Sequence, residues 1–220
     1  MGYRNTSLVP NEFYHIYNRG NSKQNIFLDN ADYLRFQDLL YLANSKEPIS
    51  VRDARQNGVY EVQREGLLAA IGAYCLMPNH FHILLTPLVE NGVTIFMKKV
   101  STGYAMYFNK RYVRTGGLFE GRFKSQGADS DEYLKYLFSY IHLNPLKLKY
   151  KDWKTRATAQ SDLLQEAYEY RHSSFKDYLN EDSRSESMIL SKDMFPEYFA
   201  DAEAWKTEMT EWITFPVEGK

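Results

Sequence analysis

Two histidines, His80 and His82, stand two apart in the run Met77-Pro78-Asn79-His80-Phe81-His82-Ile83-Leu84-Leu85. The apolar residues around them read as a β-strand, in which alternate side chains share a face. Both imidazoles then project to one side and Phe81 to the other. Two imidazoles side by side on a rigid strand supply half of a metal site. A pair of structural histidines satisfied inside a core would show the same spacing. Well downstream, Tyr140 and Asn144 are four apart around the end of Asp131 to Leu143 (DEYLKYLFSYIHL), which reads as a helix. Ser130 or Asp131 can cap it, Glu132 lies in its first turn, and Pro145 follows. Leu134, Leu137, Phe138 and Ile141, at spacings of three and four, mark its buried face. Tyr140 and Asn144 share a side if the helix persists through its last turn. A tyrosine hydroxyl is a nucleophile, and an asparagine oxygen is a hard ligand suited to Mg²⁺ or Mn²⁺. His142, about 200° from Tyr140 at ~100° per residue, faces elsewhere. Read alone, Tyr140 would equally serve as packing and Asn144 as a helix cap.

A hydrolytic centre built on His-x-His recruits nearby carboxylates or further histidines to generate hydroxide. Here Ile83, Leu84, Leu85, Thr86 and Pro87 follow, with no ligand until Glu90. That pattern argues against a two-metal hydrolase.

Taken together, these residues resemble a known family. His80-Phe81-His82 resembles the His-hydrophobic-His motif of the HUH single-strand endonucleases. The whole pattern is most similar to the REP-associated tyrosine transposases, a single-tyrosine branch of that superfamily. The resemblance runs in order through FYHIYNRGN (Phe13 to Asn21), LMPNHFHILLTP (Leu76 to Pro87) and GLFEGRFKS (Gly117 to Ser125). It continues through DEYLKYLFSYIHLNPLK (Asp131 to Lys147) and YRHSSFKDYL (Tyr170 to Leu179). Carried over residue by residue, it implies metal-binding histidines at His80 and His82, a third polar ligand at Asn144 and a nucleophile at Tyr140. It implies a divalent metal, Mg²⁺ or Mn²⁺, and single-stranded DNA cleaved near hairpins of mobile or repeat elements. A covalent 5′-phosphotyrosine would store the bond energy for rejoining. A domesticated hairpin-binding protein that no longer cleaves is the alternative. The resemblance allows a monomer or a homodimer, because relatives can exchange the tyrosine helix between subunits.

The formal net charge is −1, where a nucleic-acid binder is expected to carry a basic excess. The distribution is less even than the sum. Lys98, Lys99, Lys110, Arg111, Arg114, Arg122 and Lys124 face a single acid, Glu120, between positions 98 and 124. Lys110, Arg111, Arg114, Arg122 and Lys124 are the candidate phosphate contacts. Tyr104, Tyr107, Phe108, Tyr112 and Phe119 interleave with them and could stack on bases, although Tyr104 and Phe108 share a helical spacing that suits a core. The lone cysteine, Cys75, excludes an internal disulfide and suits a reducing cytoplasm. No apolar run approaches a membrane span, and the polar start MGYRNTSLVPNE is no signal peptide.

Positioning these groups requires an α+β fold. A strand at 13–18, a helix from Ala31 to about Asn44 capped by Asn30, and strands at 67–77 and 80–86 turning at Pro78-Asn79 are predicted. A helix at 93–112, a strand at 123–128 and the tyrosine helix follow. The order βαββαβ is ferredoxin-like, an antiparallel sheet with helices on one face, and agrees with the fold the resemblance implies. Residues 1–150 form the catalytic domain in this reading, and 151–220 a C-terminal accessory helical extension. Within the first, 46–66 reads as an insertion with a β-hairpin broken at Asn57-Gly58, where Arg52 and Arg55 could meet DNA. The stretch EDSRSES beyond Asn180 reads as a flexible linker. Short amphipathic helices at 188–200 and 201–212 then follow, anchored by Phe195, Phe199, Trp205 and Trp212.

Overall fold

The computed structural model describes residues 8–150, 160–179, 184–199 and 201–214. Chain order runs β1 (Tyr14–Arg19), α1 (Asn30–Leu42), α2 (Val51–Asn57), β2 (Ala69–Met77), β3 (His80–Pro87), α3 (Gly92–Arg111), β4 (Lys124–Gly127) and α4 (Asp131–Leu143). The strands form one antiparallel sheet in the order β2-β3-β1-β4. Alternation along β3 sends Phe81, Ile83 and Leu85 to one face and leaves His80, His82 and Leu84 on the other. Tyr17 stands opposite His82 and Arg19 opposite His80, so His15 and Tyr17 of β1 join the histidine face.

Helices cover both faces of this sheet rather than one. Phe36, Leu39 and Leu40 of α1 pack with Phe96, Met97, Val100 and Tyr104 of α3 beneath Phe81, Ile83 and Leu85. Leu134, Leu137, Phe138 and Ile141 of α4 pack on Ala70, Ala73, Cys75 and Leu84 on the histidine side. The reason lies in β2, whose AAIGAYCLM is apolar throughout and buried at every position, as a strand covered on both faces must be. The cap of α1 is Asp29, one residue earlier than expected; its carboxylate accepts the Ala31 and Asp32 amides.

The expected hairpin at 46–66 is instead helical. Ser50 Oγ accepts the Asp53 amide to start α2, Ala54 is buried on its inner side, and Gly58 ends it at φ +93°. Tyr60 and Val62 carbonyls both accept the Tyr41 hydroxyl, which replaces the strand ladder a hairpin would need. Arg55 is engaged by Asp38 at 2.6 Å, while Arg52 is exposed.

After α4 come α5 (Leu146–Lys149), α6 (Gln160–Glu169) and α7 (Ala202–Thr214). The segment 172–174 runs along the free edge of β2: His172 O accepts the Leu76 amide and Tyr74 O accepts the Ser174 amide, both at 2.9 Å. Trp205 is fully buried, stacked on Tyr178 at 4.6 Å and edge-on to His142 of α4 at 4.9 Å. The Phe195 ring lies over Gly72 of β2 so closely that a β-carbon there would meet it at 2.7 Å. The expected anchors Phe195 and Trp205 are buried, and Phe199 and Trp212 pack against the same core. No helix forms at 188–199; 3₁₀ turns at Ser185–Ile189 and Lys192–Met194 precede extended chain, because Pro196 holds Phe195 out of the helical region. Of the expected linker, 181–183 lie outside the described residues, as do 1–7 and 151–159, whereas Arg184 is tied to Asp177 at 2.8 Å. Among the described residues no helix is long and apolar enough to cross a membrane.

Candidate active site

The His80 and His82 rings are 4.9 Å apart and nearly perpendicular. His80 Nδ1 lies 2.6 Å from Asn79 Oδ1, and Asn79 Nδ2 donates to Lys23 O. His82 Nδ1 lies 2.8 Å from His15 Nε2. In both histidines Nε2 is therefore the nitrogen left to bind a ligand. Burial, with the Lys147 and Arg19 charges adding to it, holds His80 down to about 4. Burial likewise brings His15 to about 4, and His82 well below its ordinary value with help from its two histidine neighbours and Lys147. All three rings are neutral at pH 7, the form in which imidazole binds a metal. The sequence reading missed His15. Its signal was the β1 alternation that places it on the same face as Tyr17, but its bond to His82 joins strands distant in the chain.

Helix α4 carries Tyr140 onto this face. Its half-buried ring presents 5.5 Å from His82 and 5.8 Å from His15 between centres, edge-on to both. Nucleophile candidate and histidine strand thus meet within one chain. Asn144 is buried one turn on; its Nδ2 donates to Tyr140 O at 2.8 Å and its Oδ1 accepts from Lys147 Nζ at 3.0 Å. Lys147 Nζ is also 4.6 Å from the Tyr140 ring centre. This lysine enters the site because Pro145 does not end the helical path. Asn144 and Pro145 both keep helical angles and lead into α5, with proline near a helix start, where its missing amide costs little. His142 does face away: its Nδ1 donates to Phe138 O at 2.8 Å and its Nε2 lies 2.7 Å from Ser174 Oγ.

Beside His80 opens a cleft of about 280 Å³, lined by Tyr17, Asn18, Arg19, Asn79, His80, Glu120 and Lys124. Arg19 grips Glu120 through two 3.0 Å bonds and holds its carboxyl below the usual range. The five basic residues predicted to touch phosphate divide. Lys124 lines the cleft, and Lys110 and Arg122 are exposed, all three without an ion-pair partner among the described residues. Arg111 is bound to Asp29 at 2.5 Å and Asp32 at 2.8 Å, and Arg114 to Asn109 at 3.0 Å. Of the interleaved aromatics, Tyr104 and Phe108 are core and Phe119 packs against it, while Tyr107 and Tyr112 donate to Asp32. Among the described residues no group of three His, Cys, Asp or Glu side chains is placed to hold a metal ion.

A solved structure described as a REP-associated tyrosine transposase bound to a REP hairpin is similar over 92% of this chain and 93% of its own, at 13% identity and a TM-score of 0.49. Nothing among the curated proteins matches. The sequence model of the family described as "Transposase IS200 like" matches residues 50–144, which span both histidines, Tyr140 and Asn144. Over that segment, which is less than half of its length, the chain is similar to the IS200-like transposase family.

Proposed function

We propose that this protein is a metal-dependent endonuclease and strand transferase for single-stranded DNA, acting near hairpins of mobile or repeat elements, with Tyr140 as nucleophile. The observation that carries this is the approach of Tyr140 on α4 to His82 on β3, 5.5 Å between ring centres. The strand order β2-β3-β1-β4 supports a ferredoxin-like arrangement. In this reading residues 1–150 are the catalytic part and 151–220 its accessory extension. His80 and His82 fit a divalent cation, since each has Nδ1 engaged by the protein and Nε2 available. Mg²⁺ or Mn²⁺ would be held there, with Asn144 Oδ1 as third donor after Lys147 releases it. When bound, the cation neutralises charge that develops on the phosphate oxygens.

The remaining work belongs to the chain. Tyr140 Oη attacks phosphorus, the bond from phosphorus to the 3′ oxygen breaks, and the phenolic proton ends on that departing oxygen. The products are a Tyr140 5′-phosphodiester and a free 3′-hydroxyl. One ester replaces another, so no high-energy cofactor is consumed, and attack by a 3′-hydroxyl restores both DNA and tyrosine. Lys124 at the cleft and Lys147 beside Tyr140 attract the approaching backbone phosphates. One observation favours the second reading, a hairpin binder that does not cleave: both polar atoms of Asn144 are already engaged by Tyr140 O and Lys147. Incubation with labelled single-stranded hairpins and Mn²⁺, followed by denaturing gels, separates the two. A covalent adduct lost in Tyr140→Phe supports cleavage, and binding with no adduct supports the second reading.

A further inference from the structure

His80 and His82 solve one problem by different means. An imidazole can bind a metal through Nε2 only if its own proton sits on Nδ1. For His80 the proton's place is settled, because Nδ1 faces Asn79 Oδ1, an atom that can only accept. His82 Nδ1 faces another imidazole nitrogen, Nε2 of His15, at 2.8 Å. One of the two must donate. If His15 donates, the His82 proton sits on Nε2 and no lone pair remains for a metal. If His82 donates, its Nε2 lone pair is free and His15 carries its own proton on Nδ1.

We propose that His15 is a positioning residue for the metal site, accepting the His82 Nδ1–H and thereby holding His82 in its ligating tautomer. It takes the part that a carboxylate or backbone carbonyl plays behind many metal-binding histidines. The geometry fits a fixed support: His15 is 6% exposed, and its ring is stacked on His82 at 5.0 Å and 27°. It sits on β1 opposite Leu84, next to the β3 position of His82 on the shared face. Its ring also meets the edge of Tyr140 at 5.8 Å, so one side chain sets both the ligand and the wall the tyrosine packs on. A neutral acceptor has an advantage over Asp or Glu here. It orients the ligand without adding a negative charge where a phosphate must approach.

The inference rests on His82 being a metal ligand, and the test separates the two. Nitrogen-15 spectra of the histidine rings in metal-free protein report the tautomer, and calorimetric titration with MnCl₂ reports affinity. The expected result is a His82 ring protonated at Nδ1 in the wild type. His15→Phe keeps the ring and removes the acceptor; it moves the His82 proton to Nε2 and weakens Mn²⁺ binding roughly 10–100-fold. His15→Gln, whose amide oxygen reaches about as far as Nε2, restores most of that affinity. A His82 ring protonated at Nε2 in the wild type overturns the proposal without any variant having to fold. So does equal Mn²⁺ affinity in wild type and His15→Phe. Equal affinity in wild type and His82→Ala overturns the metal reading of His82 itself, and the role of His15 falls with it.

Discussion

Lys147 Nζ donates to Asn144 Oδ1 at 3.0 Å, so the expected third metal donor is held by a cation of the protein's own. A divalent ion and an ammonium group repel each other and compete for the same oxygen. Lys147→Met removes the competitor. A hydrogen bond of about 1 kcal/mol corresponds to about fivefold in affinity, so Mn²⁺ should bind about fivefold more tightly to the variant. Adduct formation with DNA should fall in the same variant, because a positive charge beside Tyr140 has gone. Calorimetry and the gel assay read the two effects separately.

Tyr140 reaches the histidines of its own chain. Mixing the double variant His80→Ala, His82→Ala with Tyr140→Phe should therefore yield no adduct beyond either alone. Recovery of adduct in the mixture would show that α4 is exchanged between subunits in solution.

His142 gives stability a definite pH dependence. Burial holds its pKa at about 3, opposed in part by its bond to Phe138 O, against about 6.5 for an unfolded imidazole. Above pH 6.5 both states are neutral and its stabilising contribution is complete. Below that the unfolded chain takes up a proton first, and stability falls by about 1.4 kcal/mol per pH unit until the folded ring protonates near 3. Urea unfolding at pH 7, 6 and 5 should show a slope shallower by about one proton in His142→Gln than in the wild type.

Trp205 ties the C-terminal segment to the helix that carries Tyr140 through its contact with His142. Truncation of a fully buried tryptophan costs about 3–5 kcal/mol. Trp205→Ala should lower the unfolding free energy by that amount in one transition shared by the whole fold. An early separate transition confined to the C-terminal helices would instead mark the extension as independent.

The basic residues should separate by salt dependence. Each phosphate contact on a single strand contributes about 0.7 to the slope of log K against log salt. Lys110→Gln, Arg122→Gln and Lys124→Gln should each reduce the slope by about that much. Arg111→Gln should leave the slope unchanged and lower Tm, because its guanidinium is bound to Asp29 and Asp32. Fluorescence anisotropy across a salt series checks the first, and thermal melting the second.

The features legible in the sequence are those that depend on local periodicity. Alternation about His80-Phe81-His82 was enough to put both imidazoles on one face, and the three-and-four spacing of α4 set Tyr140 and Asn144 one turn apart. The order β1, α1, β2, β3, α3, β4, α4 was readable for the same reason, because each of these elements announces itself within a dozen or so residues, whereas α2 was not. What tertiary structure decided are pairings between distant segments. His15 became the partner of His82 only when β1 was laid beside β3. Arg111 was spent on Asp29 and Asp32 only when α3 packed on α1, while Lys110, Arg122 and Lys124 have no ion-pair partner among the described residues. Residues 51–62 formed a helix and a turn rather than a hairpin, because the Tyr41 hydroxyl of α1 took the carbonyls of Tyr60 and Val62 and Ala54 packed into the core. Helices closed over both faces because β2 has no polar side to leave in water. Periodicity shows which face a side chain takes; the fold alone determines which group it meets there.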